Sequence, residues 1–501
     1  MTTRTATIAA TMLVLLASAH SKADDEAVAK SVVRIFATIR EPDLYRPWRK
    51  HDAEEISGSG VVIEGKRILT NAHVAEFATR LLVQPDRSGR KLTATVEAIA
   101  EDMDLAILKV AEPGFFDRHP PLPRAKGLPR VRDAVTAFGY PHGGETLSAT
   151  RGIVSRVEFS EYYCGRMGLR VQIDAAVNPG NSGGPVVADG KMVGVVFSGL
   201  DQSDNIGYII PNEEVDLFLD DVADGKYDGK PWMHDRVQYV QNEALRAQLG
   251  LAAGVNGLLV RRPDRDEPSY PLKRWDVITH IGGHAIDADG KVEVEGGLRI
   301  QFTYLIQRTA KDGKVRLDLL REGKPLTVDL PAPRRAERPL LMPYLFESPP
   351  PYLVWGPLVF TIVSDEYASA FEDGDEAEKW LPPLIAGKSP IVARRRERPA
   401  FAGEQLVVLS DLLPHRLVEG YEGTSVVVDE VDGVKVKNLP HLAERLRDAK
   451  GDRVVITFRD TNAETLVLDR KGVLDATEEI LAEFGIRKPY SDDLKAVFEK
   501  K

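Results

Sequence analysis

Asn178-Pro179-Gly180-Asn181-Ser182-Gly183-Gly184-Pro185 is the stretch on which the fold reading turns. A serine hydroxyl is a poor nucleophile near neutral pH, so a reactive serine needs a base on one side and amide donors on the other. The glycines here open φ values closed to other residues. A sharp turn could then aim the N–H groups of Gly180 and Ser182 at one point, where an oxyanion would sit. Taken alone, Gly-Asn-Ser-Gly-Gly-Pro is equally an ordinary surface turn, because each of its residues favours turns.

Upstream segments change that balance. Thr70-Asn71-Ala72-His73 closes one strand-like run, and Asp102-Met103-Asp104-Leu105-Ala106-Ile107-Leu108 opens another. His, Asp and Ser thus follow in the chain order of a chymotrypsin-type triad. His73 past a strand end suits a base on a rigid scaffold, and a carboxylate at the mouth of the next strand could accept its Nδ1–H and fix the tautomer. Two carboxylates compete for that role, and Asp102 reads as a solvated loop charge. The single cysteine, Cys164, has no local histidine and cannot form an internal disulfide.

The segments Leu69-Thr70-Asn71-Ala72-His73, Asp104-Leu105-Ala106-Ile107-Leu108 and Gly180-Asn181-Ser182-Gly183-Gly184-Pro185 resemble those of the Deg/HtrA serine proteases. Pro47-Trp48 and Tyr352-Leu353-Val354-Trp355-Gly356-Pro357-Leu358-Val359-Phe360 look more like the plant Deg branch. The resemblance covers nearly the whole chain past its N-terminus and favours Asp104 over Asp102 as the orienting carboxylate. It implies a mainly β chain: a chymotrypsin-like double β-barrel followed by two PDZ-like α+β domains. It also implies a cofactor-free, ATP-independent serine endopeptidase acting on unfolded proteins in quality control, built from trimers. His73, Asp104 and Ser182 would be the triad, Gly180 and Ser182 the oxyanion hole, and Val177 and Gly199 the substrate pocket. A pocket of that make-up cannot reward Lys or Arg, so cleavage after apolar residues is expected. The rival reading is a chaperone or scaffold that binds without hydrolysis, since fold alone does not carry function.

At 501 residues the chain is too long for one ordinary core, and about 150 residues per domain suggests roughly three. The net charge of −10 is spread over many charges of both signs, which argues against a nucleic-acid surface. Arg4, the apolar run from Ile8 to Ala17 and small residues before Ala19 and Ala23 predict a cleaved signal peptide and a secreted or periplasmic protein. The run is shorter than the ~20 residues that span a bilayer, and no later stretch spans one, so no stable membrane insertion is expected. No metal motif such as His-Glu-x-x-His is present.

Short β-branched runs from Ser31-Val32-Val33 to Ile206-Gly207-Tyr208-Ile209-Ile210-Pro211 predict the barrels, with a helix near Asn212–Asp220 closing them. Gly139–Gly144, Phe159–Leu169 and Asp201–Asn205 read as loops, and Tyr45, Pro47 and Trp48 as an oligomer contact or a self-packed loop. Turn-rich sequence around Asp224–Gly229 and the Pro-rich run Leu330–Pro351 mark boundaries. Gly282-Gly283 and Asp432-Gly433 predict the same hairpin in two successive modules. Lys230-Pro231-Trp232-Met233 stands where the family keeps a carboxylate-binding loop, which puts capture of peptide C-termini in doubt. The basic run Arg394–Arg398 reads as a solvated face. The expected layout is a signal peptide over 1–23, a protease domain over 24–222, PDZ-like domains over 229–333 and 338–472, and a helical tail over 473–501.

Overall fold

Leu105-Ala106-Ile107-Leu108 is apolar on both faces because it separates two cores. Ala106 and Leu108 point into one barrel with Val33, Ile35 and Ile68, while Leu105 and Ile107 point out of it with Leu69 and Val61. Barrel 2 repeats the device: Val196 and Ile209 face its interior with Val171 and Ile173, and the adjacent Val195 and Ile210 join the core between the barrels. Side chains alternate along a strand, so one strand can serve both cores only if neither face needs polar residues.

The computed structural model describes residues 25–85, 88–142, 144–161, 167–199, 206–346, 348–371 and 374–499. The 1–23 signal peptide, Cys164 and Asp201–Asn205 lie outside the described residues. The chain forms two compact units, residues 55–337 with the chain before Arg40, and residues 338–501 with Arg40–Glu54.

In the first unit, strands β1 (Val32–Ile39), β2 (Glu54–Ile63), β3 (Arg67–Thr70), β4 (Ala78–Pro85), β5 (Leu92–Ala100) and β6 (Leu105–Val110) close a barrel in the order β1-β2-β3-β6-β5-β4. Strands β7 (Ala134–Gly139), β8 (Ser148–Glu161), β9 (Met167–Ile173), β10 (Pro185–Ala188), β11 (Lys191–Gly199) and β12 (Gly207–Pro211) close a second in the order β10-β11-β12-β9-β8-β7. Closure removes every sheet edge except strand ends. The expected Phe159–Leu169 loop is largely strand: Phe159 pairs with Leu169 and Glu161 with Met167.

A third sheet follows in the same unit, from β13 (Arg236–Tyr239), β14 (Leu258–Arg262), β15 (Val277–Ile281), β16 (His284–Ala285), β19 (Lys314–Arg321) and β20 (Lys324–Pro331), with β17 (Lys291–Val294) and β18 (Leu298–Gln301) as a separate hairpin. Gly282 and Gly283 both take positive φ, as a two-residue hairpin between Ile281 and His284 requires. The Thr303–Thr309 helix seats this module on barrel 2. Tyr304 meets Phe159 edge-on with centroids 6.0 Å apart, its hydroxyl donates to Glu213 Oε2 at 2.8 Å, and Gln307 Nε2 donates to Met167 O at 3.1 Å. Lys230 makes a buried ion pair with Glu214 at 3.0 Å, and Met233 enters the module's core. The Lys230–Met233 segment is thus taken up by internal contacts.

The second unit carries one sheet in the order β21-β22-β23-β24-β26-β27, made of β21 (Tyr352–Trp355), β22 (Leu358–Ile362), β23 (Val407–Leu412), β24 (Val426–Val431), β26 (Arg453–Phe458) and β27 (Leu466–Asp469), with β25 (Val434–Lys435) paired to β24. The Asp432-Gly433 turn reproduces that of Gly282-Gly283, with positive φ at both positions. The Leu439–Arg447 helix starts where Asn438 Oδ1 accepts His441 N–H at 2.9 Å and buries Leu439, Leu442, Ala443 and Leu446 on one stripe. Residues of the expected tail, Val473, Leu494 and Val497, belong to this unit's core. Tyr45 packs on Tyr367 and Trp48 on Tyr352, and Arg46 pairs with Asp411. Tyr45 and Trp48 thus pack on aromatics of the 338–501 segment. The basic run is internally paired as well, Arg394 with Glu404 and Glu397, and Arg395 with Asp365.

Candidate active site

Strand register builds half of the site. β3 and β6 are antiparallel with Thr70 opposite Ala106, so the end of one strand adjoins the start of the other. His73 lies in the one-turn 3-10 helix Ala72–Val74 just after β3, and Asp104 caps the turn Glu101–Met103 just before β6. Asp104 takes a left-handed backbone, φ +51°, a conformation that asparagine and aspartate tolerate best among side-chain-bearing residues.

The Asp104 carboxylate grips His73 at two atoms. Its Oδ2 lies 2.8 Å from Nδ1, and Oδ1 lies 3.0 Å from Nδ1 and accepts the His73 backbone N–H at 2.9 Å. Asn71 Nδ2 donates to the Asp104 carbonyl at 2.9 Å. The ring is fixed at Nδ1, leaving Nε2 as the basic nitrogen. The Asp104 side chain is 2 % exposed and that of His73 38 %, so the acceptor is sealed while the ring reaches solvent. Burial alone would lower the His73 pKa. The charge of Asp104 and its hydrogen bond, with a smaller pull from Glu76, outweigh that and hold it above the ordinary imidazole value.

Barrel 2 supplies the serine on the turn between β9 and β10. The turn closes through the N–H groups of Asn181 to Asn178 O (3.0 Å), Gly184 to Asn181 O (2.9 Å) and Gly183 to Val196 O (3.0 Å). Among the described residues, the amides of Gly180 and Ser182 take no part in that closure. Gly180 has φ +99°, and a Cβ there would stand 2.4 Å from Tyr140 O. At Gly183 a Cβ would stand 2.1 Å from Ser59 O, because β2 of the other barrel crosses at that point. The Ser182 hydroxyl donates to Phe197 O at 3.4 Å, a long and weak bond.

Ser59 is a residue that motif reading passed over. Its N–H donates to Ser182 O at 2.8 Å, its hydroxyl donates to Gly180 O at 2.8 Å and accepts from Tyr140 N–H, and its carbonyl accepts from Thr70 Oγ1 at 2.7 Å. It ties the serine turn to the strand leading to His73. The small-residue run Ser57-Gly58-Ser59-Gly60 was the available signal.

The family model for a trypsin-like peptidase domain matches residues 58–195, and that for a PDZ domain matches residues 342–493. Over 482 residues the chain is 34 % identical to Protease Do-like 2, chloroplastic, of Arabidopsis thaliana, covering 95 % of this chain and 77 % of the relative. It is 33 % identical over 458 residues to Protease Do-like 4, mitochondrial, of the same plant, covering 90 % and 83 %. The chain belongs to the Deg/HtrA family of serine proteases. Among solved structures, this Deg/HtrA chain is similar to the HtrA-type protease AlgW with tripeptide, at 24 % identity and a TM-score of 0.49, covering 62 % of this chain and 96 % of that one.

Of the two pocket candidates of the Deg/HtrA chain, Val177 lies against Gly207, the strand partner of Gly199. Gly199 on β11 is the register partner of Gly207 on β12, and a Cβ on Gly207 would lie 2.6 Å from Val177 Cγ2. Val177 thus covers the backbone beside Gly199, with Ile173 next to it. The expectation for Asp102 fails. Asp102 is 3 % exposed, accepts a hydrogen bond from the Tyr227 hydroxyl and lies 3.7 Å from Arg335 Nη1, so it is a paired interior charge.

Proposed function

We propose that this Deg/HtrA chain is an ATP-independent serine endopeptidase that cleaves unfolded proteins after apolar residues. In this reading Ser182 Oγ attacks the peptide carbonyl, His73 takes its proton and returns it to the leaving amine, and Asp104 orients His73 and stabilises its charged form. The N–H groups of Gly180 and Ser182 hold the oxyanion. The observation that carries the reading is the two-atom grip of Asp104 on His73, which fixes the tautomer that a general base needs. Val177, Ile173 and the Gly199–Gly207 pair offer apolar atoms and no carboxylate, which suits an apolar residue before the cut.

The relatives carry organelle names, chloroplastic and mitochondrial. The compartment in this proposal is therefore one reached through a cleaved N-terminal leader, which the sequence reading places over 1–23 and in secretion or the periplasm. No described helix is long and apolar enough to cross a membrane. Assembly from trimers, a PDZ-like domain over 229–333 and a second one that starts at 338 and takes the helical segment over 473–501 into its core complete the reading. The test is degradation of unfolded casein without ATP, with the cut sites mapped by mass spectrometry. Ser182→Ala should abolish cleavage. Suppression of aggregation by wild type with no Ser182-dependent cuts would instead support the binding-only alternative, and cuts mainly after Lys or Arg would refute the pocket assignment.

A further inference from the structure

Asp102 and Asp104 sit two residues apart on one turn and face different partners. Asp104 holds His73, while Asp102 holds the segments that flank the first PDZ-like module. Tyr227 comes before that module's sheet, and its half-buried ring packs on Phe218 of the Asn212–Asp221 helix, 6.0 Å between centroids. Burial first, then the neighbouring Asp102 charge, raises the Tyr227 pKa well above its ordinary value, so its hydroxyl stays a donor. Arg335 comes after the sheet, and its side chain is 13 % exposed.

The entering and leaving segments run against each other. Trp232 N–H donates to Pro333 O at 3.3 Å, and a Cβ on Gly229 would lie 2.8 Å from Arg335 Cβ. Asp221 accepts the N–H groups of Asp228 (2.9 Å) and Gly229 (3.0 Å) from the entering segment and pairs with Arg334 of the leaving one. A buried carboxylate stripped of its partners must be solvated or neutralised, because a dry, unpaired charge is strongly unfavourable. If either segment lifts, water reaches Asp102, and the turn that also presents Asp104 loses an anchor.

We propose that Asp102 is a positioning residue for the triad: through its contacts with Tyr227 and Arg335 it holds Asp104 in place only while the flanks of the first PDZ-like module are seated. The proposal rests on the triad reading above. The left-handed backbone of Asp104 fits it, since a sparsely populated conformation persists when its surroundings over-determine it. Asn71 restrains the Asp104 carbonyl from one side and Asp102 anchors the turn from the other. The further charges facing the cluster are Glu76 near His73, and Glu101 near Tyr227.

The test uses the full chain, a short peptide substrate and NMR titration of the His73 ring, assigned by a His73→Gln comparison. Asp102→Asn should lower kcat about ten- to a hundredfold with KM within about twofold, the size expected of a misplacement of about 1 Å at a catalytic group. The His73 pKa, and with it the acid limb of the pH–rate profile, should move down, because Asp104 would no longer hold the imidazolium as closely. Removing the Asp102 charge would lower it too. Tyr227→Phe separates the two causes, since it changes no charge: a smaller shift in the same direction, and a double variant no worse than Asp102→Asn alone, support positioning. If Asp102→Asn does not fold, Tyr227→Phe decides by the same readouts. A lowered Tm with wild-type kcat and wild-type His73 titration would reduce Asp102 to a stability role and overturn the proposal. Activity that survives Ser182→Ala would sink the triad reading instead, and the NMR titration would still decide whether Asp102 positions Asp104.

Discussion

The two barrels contribute unequally finished halves of the candidate site. Barrel 1 presents His73 and Asp104 as a closed unit, with both Asp104 oxygens and its carbonyl engaged. Barrel 2 presents Ser182 on a 3.4 Å bond to a carbonyl, with the Gly180 and Ser182 amides outside the closure of the turn. The buried Oδ1 of Asn181 has no hydrogen-bond partner among the described residues. The histidine is thus set by strand register, whereas among the described residues the Gly180 and Ser182 amides and Asn181 Oδ1 are not engaged by the turn's own hydrogen bonds. Trypsin-like enzymes carry an aspartate before the serine that pairs with a newly cut N-terminus. Asn181 is neutral and cannot make that ion pair. An activation step by substrate docking or by neighbouring loops is therefore expected on barrel 2, and kinetics can test it.

Ser182→Ala is the largest expected loss, about 10⁶-fold in kcat, because residues that act as one unit fail together. The fold should stand, since the turn accepts small residues, and an unchanged Tm would verify it. Asp104→Asn attacks the finished half and should cost about 10⁴-fold, the scale of a wrong-tautomer histidine. Retained activity in that variant would show that the closed unit is ornamental.

Kinetics test the unfinished half. If substrate completes barrel 2, rate should depend sigmoidally on the concentration of an unfolded protein, and a gap of a few kcal/mol suffices to keep most molecules idle. Hyperbolic kinetics would erase the difference between the barrels. Val177→Ala should change preference more gently, about tenfold in kcat/KM toward larger apolar residues, in line with one to a few methylenes in a pocket. An unchanged peptide-library profile would remove Val177 from the pocket.

The smallest effect is on pH. His73 must be neutral to accept a proton, and its pKa is raised, so activity should fall as pH drops through a midpoint above the ordinary 6.5. The acid limb of kcat/KM measures that midpoint, and a value at or below 6.5 would contradict the grip of Asp104.

Strand patterns and the three short motifs made the barrels and the family legible, because alternation and glycine placement are local signals. Asp102 was misread for the opposite reason. Its partners Tyr227 and Arg335 lie 125 and 233 positions away, and nothing near Asp102 in the chain tells a paired interior carboxylate from a loop charge. Phe159–Leu169 reads as a loop from its place in the family pattern, yet the strands run on through its flanks by cross-strand pairing. Ser59 escaped notice because a small polar residue in a strand carries no chemistry of its own until the structure shows which backbone groups it bridges.

Arg40–Glu54 leaves the first unit after β1 and rejoins it at β2, but folds with residues 338–501. The chain therefore passes between the units at three places, 39/40, 54/55 and 337/338, and each unit is discontinuous in sequence. A fragment beginning at Arg338 would lack Trp48, Tyr45 and Arg46, which pack on Tyr352 and Tyr367 and pair with Asp411, so truncation by sequence position would remove part of its own fold. Nicking the chain between the units would leave two polypeptides sharing one domain, which behave as a complementing pair.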